Sequence, residues 1–438
     1  MENIDLNYLE TKFSQLQASN GTDTISHIRK KGFADFTQIG LPSYKNEEWK
    51  YTKVKNLFKQ EFALSSDAHA PGIGIAEVDA VRLPGFEKAN ELVFLNGKFS
   101  SALSTIRSAA NELVVLPLDE AAKGEYKALV TEHLNKSSSV VKDGLQALNT
   151  SFINEGVFVY VPKNKMVERP VYFYHITDAK ENYTLSQPRS LLFIAENTKL
   201  QVVESYSTLG SLESFTNEVM EIVVNTNAIL EHYKIQNDVP TANQVNTTHI
   251  RQIGKSYVHT FTLTLDGGTV RNNTHIMMET EGNEGHMYGL YLIKGKTHVD
   301  NHTLVDNMKP NCFSNELYKG IMDEQSTGVF SGKIMVRQDA QKTNAYQSNK
   351  NILLSDEATI NTKPQLEIFA DDVKCSHGCT IGQLDEEALF YLRSRGISKP
   401  LATSMLLQAF AADILAQVKL PALRTYVEDL VIDRLIIN

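Results

Sequence analysis

The sequence predicts a mainly β protein, built as an extended solenoid with a helical region at each end. The first observation is a long succession of short segments rich in Val, Ile, Leu, Thr and Tyr, from about residue 156 to about residue 374. The second is that no amphipathic helical pattern of about ten residues interrupts them, which excludes alternating βαβ units and a doubly wound sheet. A sandwich and a barrel stay open, but a run of roughly 200 residues is large for either, whereas a solenoid grows by stacking coils.

The N-terminal region, residues 1–150, is predicted to be helical at first and mixed afterwards. Residues 5–18 place apolar side chains on one face of a helix, and residues 23–29 have the pattern of a capped second helix. A further helical segment is predicted over about 124–148. The only tryptophan, Trp49, has two interpretations: it packs this region against the core, or it contacts a partner.

The strand-rich region is assigned to residues 151–383. Its segments are separated by clusters of Asn, Asp, Glu and Gly, which are typical of turns. These clusters include residues 196–198, 225–227, 266–268 and 281–283.

The C-terminal region, residues 384–438, is predicted to return to helix. Asp385 can cap a first helix, which Gly396 can end. Ser398 can cap a second helix, and Pro421 can open a third.

The second of these C-terminal helices, predicted over 401–418, has apolar residues around nearly its whole circumference. Such a helix must be buried on more than one side. Either it lies inside a small helical cap, or part of it forms a surface for a partner. Gln408, Asp413 and Gln417 interrupt the segment, so it is not predicted to span a membrane.

Composition excludes several functional classes. The net charge of −9 and the pI near 5.8 argue against nucleic acid as a partner, because no basic stripe is present to neutralise phosphates. Three cysteines do not make a disulfide framework, and the acidic start of the chain differs from a secretory signal. We therefore expect a cytoplasmic protein without a membrane segment.

The densest group of metal-binding side chains lies in the segment 374–381, which contains Cys375, His377 and Cys379. Thiolate and imidazole are the side chains that bind iron, zinc and copper. The alternative is that a free cysteine is only a small buried hydrophobe.

The spacing of this group limits what it can bind. On a strand the three side chains share one face, but their ends lie roughly 13 Å apart at about 3.3 Å per residue, too far for one ion unless Gly378 bends the chain. The remaining cysteine, Cys312, has no Cys-x-x-Cys partner, so a closed zinc site is not predicted. Metal-binding side chains that are this far apart are better suited to a metal site for which a second subunit supplies the remaining ligands.

Several segments resemble catalytic or ligand-binding motifs, but each lacks a feature that the motif requires. The segment 289–297 imitates a phosphate-binding loop, but it has one residue too many between the glycines, and a strand follows where a helix is required. His298 and His302 are four apart, a ligand spacing on a helix but not on the strand predicted there. The sequence has no Gly-x-Ser-x-Gly and no His-Glu-x-x-His. We therefore predict that the chain is not an enzyme.

A long series of motifs resembles a known family. It includes Asp-Asp-Val-Lys-Cys-Ser-His-Gly at 371–378, with further segments at 384–387 and 390–397. It continues upstream through residues 332–334, 340–343, 347, 349, 353–355 and 362–368. On these residues the chain closely resembles the SufB/SufD family of iron–sulfur cluster assembly proteins, over at least residues 150–410.

Within that family, the resemblance is to the SufD branch. Leu-Pro at 41–42 and Glu-Glu-Trp-Lys-Tyr-Thr at 47–52 resemble its N-terminal region, and the cysteine-rich N-terminal motif of many SufB proteins is missing. The ending 435–438 also lacks the Glu-rich and Gly-rich tail of SufB. One departure is Cys379, which stands where the family usually has Ala, so we assign it no role.

The resemblance implies a right-handed parallel β-helix with helical regions at both ends. It also implies a subunit of a SufB–SufC–SufD scaffold complex that pairs with SufB through the β-helices and docks the SufC ATPase through its C-terminal region. Cys375 and His377 would then be ligands at the SufB interface for iron or a nascent iron–sulfur cluster. The cluster would be transient and shared with SufB, not held tightly by the isolated chain, for which a homodimer stays open.

Two alternatives remain. A β-helix carbohydrate-active enzyme would need acidic groups on one face, but Asp371 and Asp372 are neighbours and point to opposite sides of a strand. A purely structural scaffold would keep the same fold, with Cys375 and His377 as packing residues that bind no metal.

Overall fold

We describe the protein from a computed structural model, in which residues 6–20, 25–64 and 73–436 are described. The helices within these ranges lie at the two ends of the chain. They are α1 Asn7–Asn20, α2 Ser26–Ile39, α3 Ile75–Val81, α4 Leu118–Ala121, α5 Lys127–His133, α6 Gly144–Ser151, α7 Glu386–Ser394, α8 Lys399–Leu415 and α9 Pro421–Leu435. Short 3₁₀ turns occur at Glu47–Trp49, Val54–Lys59, Phe86–Lys88 and Ser137–Ser139.

The middle of the chain consists of strands. They are β1 Ala63–Leu64, β2 Asn90–Leu95, β3 Lys98–Thr105, β4 Val114–Pro117, β5 Val157–Val161, β6 Val171–Ala179, β7 Thr184–Ser186, β8 Arg189–Ile194, β9 Lys199–Gly210, β10 Ser214–Val224, β11 Ile229–Asn237, β12 Ala242–Gln252, β13 Tyr257–Asp266, β14 Thr269–Met278, β15 Glu284–Ile293, β16 His298–Asn307, β17 Phe313–Met322, β18 Thr327–Val336, β19 Asn344–Leu353, β20 Thr359–Ile368 and β21 Lys374–Gly382. From β8 onwards, successive strands alternate between two sheets, and each strand pairs in parallel with the strand one coil away. The result is a parallel β-solenoid of about eight turns, which confirms the predicted fold class.

Sheet A follows the order β20-β18-β16-β14-β12-β10-β8-β5-β4, and sheet B the order β21-β19-β17-β15-β13-β11-β9-β6-β2-β3. The inward-facing side chains of the two sheets meet in the bore of the solenoid. Apolar side chains such as Val202, Ile222, Met287 and Val305 fill much of that bore. β2 and β4, which lie before residue 151, already pair with β6 and β5.

The turn residues of the sequence lie at the corners of the coils, where the backbone requires unusual dihedral angles. Asn164, Asn197 and Asn227 lie at equivalent corners of successive coils with positive φ. Asn tolerates this left-handed conformation better than most residues. Their side chains also form a ladder, because the amide of Asn197 donates to Asn164 at 2.9 Å and that of Asn227 donates to Asn197 at 3.0 Å. Each corner residue therefore both permits the turn and ties it to the next coil.

The C-terminal helices cover the outer face of sheet B. Leu407 and Ile414 of α8 and Val427 of α9 belong to one apolar cluster with outward-facing residues of the sheet, including Phe261 and Leu263. Polar contacts tie the helices down: Lys319 donates to Asp413 at 2.6 Å, and Arg434 donates to the carbonyl oxygen of Leu265 at 2.6 Å.

The starts of two C-terminal helices agree with the predicted caps. The Asp385 carboxylate accepts from the backbone amides of Glu387 and Ala388, and the Ser398 hydroxyl accepts from Leu401. Gly396 follows α7 with φ of +84°. Because these signals are local, the sequence alone locates them.

The N-terminal predictions have a mixed outcome. Helices α1 and α2 are present, but the predicted cap at residue 23 lies outside the described residues, and α2 extends to Ile39. The prediction of a single helix over 124–148 is wrong. Asn135, with φ of +67°, breaks it after α5, and Asp143 caps the new helix α6.

Candidate functional site

The predicted metal-binding residues lie on β21, the last strand of sheet B. The backbone register of β21 with β19 shows which way their side chains face. The β19 partners of Cys375, His377 and Cys379 are Ala345, Gln347 and Asn349, respectively. All three partners are buried and point into the bore. The three donors therefore share one face, as predicted, and that face is the inward-facing one, at the open end of the solenoid.

The three donors differ in their surroundings. Cys375 is half-buried and packs against a small apolar cluster that includes Ile334, Val336 and Ala370. Burial raises the pKa of its thiol, so the isolated chain favours the neutral form. His377 and Cys379 are exposed to solvent.

The donors do not converge. Among the described residues, they form no group of three whose ligand atoms could surround one ion. Alternate residues of a strand lie roughly 6.6 Å apart, which explains this separation. Any metal bound here by two of these side chains would need further ligands from elsewhere.

A buried carboxylic acid lies behind His377 in the same row. The register runs from His377 to Gln347 and from Gln347 to Glu316 on β17. The Gln347 side-chain amide donates to the Glu316 carboxylate at 2.7 Å. Burial raises the pKa of Glu316 to about 7. Sequence analysis missed Glu316, because no local motif marks it and only the register aligns it with His377.

Among the described residues, no strand covers the end of the solenoid that carries β20 and β21. Each of these strands has a described neighbour on one side only, so its other edge presents backbone donors and acceptors for pairing. Large apolar side chains are exposed at the same end: Ile368, Phe369 and Ile381 are 40%, 61% and 52% exposed. An uncovered strand edge next to apolar residues is suited to docking another protein.

A second apolar surface lies on the C-terminal helices. Helix α8 is buried against sheet B and α9, but Leu401 and Met405 are exposed, as are Phe390 and Tyr391 of α7. We call these four residues the α7–α8 patch. Their exposure favours the interpretation that part of the apolar helix α8 serves a partner.

Trp49 has a structural role. Its ring is buried, and the Arg271 guanidinium stacks on it at 3.9 Å. Arg271 also donates to the carbonyl oxygen of Glu48 at 2.6 Å and to Asp300 at 2.7 Å. His302 lies between Asp300 and Glu48. The interpretation of Trp49 as an anchor for the N-terminal region is confirmed, and His302 belongs to the same anchor.

The segment that imitates a phosphate-binding loop is a strand, a turn and a strand. Gly289 lies within β15, where a Cβ atom would be 2.1 Å from the Tyr318 ring. Its glycine therefore makes room for an aromatic side chain. The strand β16 follows the segment, as predicted, where a phosphate-binding loop requires a helix.

Comparisons with known proteins agree with these features. Residues 175–410 match the family profile described as SUF system FeS cluster assembly, SufBD core domain. Residues 3–173 match the profile of the SufBD protein N-terminal region. The chain belongs to the SufBD family.

Relatives of this SufBD-family chain cover most of its length. An iron–sulfur cluster assembly SufBD family protein of Synechocystis is 31% identical over 95% of this chain and 92% of its own length. The iron–sulfur cluster assembly protein SufD of Escherichia coli is 31% identical over 86% of this chain and 85% of its own length. That of Bacillus subtilis is 26% identical over 69% of this chain and 70% of its own length.

Family membership confirms the resemblance found in the sequence and gives the chain a role in iron–sulfur cluster assembly. The matched core, residues 175–410, covers the solenoid from within β6 to β21 and continues through α7 into α8. Among the helices that the described ranges contain, we find none with the length and hydropathy of a transmembrane span.

Proposed function

We propose that this chain is a SufD-like scaffold subunit of a SufB–SufC–SufD complex and not an enzyme. Two relatives carry the name SufD and match the chain over most of its length. The single observation that carries the proposal is the uncovered end of the solenoid, where Cys375 and His377 stand on an edge strand beside exposed apolar side chains. A scaffold needs such a surface and no catalytic centre. The proposal includes a cytoplasmic location, as the sequence predicts.

SufB is the proposed partner of the uncovered end. A strand of SufB could bond to the free edge of β20 or β21, while Phe369 and Ile381 become buried beneath it. The same edge could bind a second copy of this chain when SufB is absent. Both associations bury apolar area that is exposed in the monomer.

Iron or a nascent cluster is the proposed cargo of this interface. His377 offers a solvent-exposed imidazole, and Cys375 offers sulfur once a metal draws off its proton. The two donors cannot complete a site alone, so the partner supplies the remaining ligands. The isolated chain is accordingly expected to hold no cluster tightly.

SufC is the proposed partner of the α7–α8 patch. Phe390 and Tyr391 are 74% and 57% exposed, and large aromatic side chains are frequent anchors of protein interfaces. Helix α8, which carries Leu401 and Met405 of the patch, is tied to sheet B by the ion pair of Lys319 with Asp413. A force applied to α8 by an ATPase would therefore reach the solenoid directly.

The test is co-expression of the chain with the SufB and SufC of its own source. We expect one complex that contains all three proteins and carries iron and sulfide. The matched control is the double variant Phe369→Ser/Ile381→Ser, which removes apolar area from the open end without touching the donors. It should lose SufB and keep SufC. If the wild-type chain forms no complex with either protein, the proposal is wrong.

A further inference from the structure

A second group of polar side chains is enclosed in the bore of the solenoid, far from β21. It consists of His175 on β6, Glu204 on β9 and Glu218 on β10, and one ligand atom from each lies within 4.8 Å of the others. All three side chains are buried. Strands β9 and β21 are separated by five other strands of sheet B, so the group lies roughly 29 Å from the open end at about 4.8 Å per strand.

Hydrogen bonds satisfy only some of the polar atoms in this group. The Tyr206 hydroxyl lies within hydrogen-bond distance of Glu204, at 2.8 Å, and of Glu218, and its single proton is shared between the two carboxylates. The other carboxylate oxygen of Glu204 contacts the His232 ring. Three of the four carboxylate oxygens therefore have partners.

The remaining atoms face one another at ion-pair distances but without a well-aligned hydrogen bond. His175 Nε2 lies 3.2 Å from Glu218 Oε1 and 3.6 Å from Glu204 Oε2. Neither ring nitrogen of His175 has a hydrogen bond of acceptable geometry, and Glu218 Oε1 has none either. Buried polar atoms left without partners cost about 1–3 kcal/mol each, so a group of them that converges needs an explanation. A cation between the three side chains would contact one ligand atom of each at once.

Charge also favours a cation. Lys234 Nζ lies 3.5 Å from Glu204 and 3.7 Å from Glu218, and it donates to the Thr248 hydroxyl at 3.1 Å. Lys234 is one fixed positive charge beside two buried carboxylates, and the rings of His175 and His232 also contact them. A proton on His175 is the competing occupant: burial lowers its pKa, but Glu218 and Glu204 outweigh burial and raise the pKa to about 9.

The geometry points to a divalent metal site formed by His175, Glu204 and Glu218. The two separations from His175 Nε2 to the carboxylate oxygens, 3.2 and 3.6 Å, match those expected around one ion with bonds of about 2.0–2.2 Å, and all three donor atoms lie within 4.8 Å of one another. Imidazole and carboxylate without thiolate suit Mn²⁺, Fe²⁺ or Zn²⁺. The ion would join sheet B, which carries His175 and Glu204, to sheet A, which carries Glu218. It would act as a structural clamp inside the solenoid, independent of the site proposed at Cys375 and His377.

The experiment measures metal that resists chelation. The full-length chain is produced with added Mn²⁺, Fe²⁺ or Zn²⁺, washed with EDTA and analysed for metal by mass spectrometry. An enclosed ion should exchange slowly, so we expect about one equivalent per chain to remain. Glu218→Gln keeps the shape of the side chain, removes its charge, and should lower the retained metal at least about fivefold.

Two control variants distinguish this site from metal bound at other histidines of the chain. His377→Ala should retain the metal, since the other proposed site lies at the open end. His275→Gln should also retain it. His275 is buried with an unbonded ring nitrogen, but its charged neighbours are Arg271, His249 and His302 rather than carboxylates.

A measurement on the wild-type protein does not depend on how the variants fold. X-ray absorption of the retained Zn²⁺ should show only nitrogen and oxygen ligands. Absence of chelation-resistant metal with all three ions would overturn the inference and leave a proton on His175 as the occupant. A sulfur ligand, or retained metal unaffected by Glu218→Gln, would also overturn it.

Discussion

His377 lies in backbone register with Gln347, and Gln347 in turn donates to Glu316 at 2.7 Å. An exposed imidazole at the end of the solenoid is thus the outermost member of a row that leads to a buried carboxylic acid. The proposed interface site therefore has a polar interior directly behind it.

The first prediction concerns His377. In the assembled SufB–SufC–SufD complex, His377→Ala should lower iron or cluster content while assembly is kept, because one ligand is lost and the strand remains. The exposed side chain contributes little to stability, so the free energy of unfolding should change by less than about 0.5 kcal/mol. Iron and sulfide analysis of the purified complex is the measurement.

Two cysteine variants serve as comparisons for His377→Ala. Cys375→Ala should act in the same direction, and Cys379→Ala, on the same face, should have little effect. Unchanged iron content and cluster transfer in His377→Ala would favour the alternative of a scaffold without metal ligands.

The second prediction concerns the α7–α8 patch. Phe390→Ala should weaken SufC binding by about tenfold or more, since an exposed aromatic anchor is lost. Binding can be measured by titration calorimetry with purified SufC. Ile39→Ala, at an apolar side chain of α2 that is 48% exposed, is the matched control and should bind normally. Equal affinity of both variants would exclude the patch as the docking surface.

Point variants are preferable to deletion of the C-terminal helices. Helices α8 and α9 bury Leu407, Ile414 and Val427 against the outer face of sheet B. Their removal would expose that face and destabilise the solenoid for reasons unrelated to SufC.

The third prediction concerns pH. The folded state raises the pKa of Glu316 from 4.5 to about 7, so this group stabilises the fold below about pH 4.5. That contribution is lost as the pH rises towards 7, when the buried carboxyl must ionise. At most it amounts to something on the order of 3 kcal/mol. Urea unfolding at several pH values, compared between wild type and Glu316→Gln, measures it.

Other groups also titrate over this range, so the result is the difference in the free energy of unfolding between wild type and Glu316→Gln at each pH. Glu316→Gln should gain in stability relative to wild type as the pH rises from 4.5 to 7. A constant difference over that range would show that Glu316 does not titrate as described.

The fourth prediction concerns the N-terminal anchor. Arg271→Met leaves the buried Asp300 without its guanidinium partner and should lower the free energy of unfolding by about 3–5 kcal/mol. Urea unfolding measures the loss, and proteolysis near residues 46–52 should become faster. The double variant Arg271→Met/Asp300→Asn should recover part of the loss, because no buried charge remains. No recovery would mean that stacking on Trp49, rather than the ion pair, dominates.

Several features of the fold and of the candidate site follow from local sequence. The turn clusters at 196–198 and 225–227, the caps Asp385 and Ser398, and the shared face of Cys375 and His377 each depend on residues a few positions apart. Dihedral preferences and the two-residue period of a strand act at that range. Because these signals act only over a few residues, the sequence could predict that Cys375 and His377 share one face of a strand. It could not predict which side chains of other strands lie next to them.

Only the tertiary structure shows which inward-facing side chains of neighbouring strands lie next to one another. Glu316 behind Gln347, and the convergence of His175, Glu204 and Glu218, depend on register between strands about one coil apart or on contact across the bore. The coils differ in length, and a shift of one residue would turn each of these side chains to the other face. No local pattern records that register. It is set by the packing of the whole solenoid, which is why the candidate metal-binding motif was visible in the sequence and the buried polar groups were not.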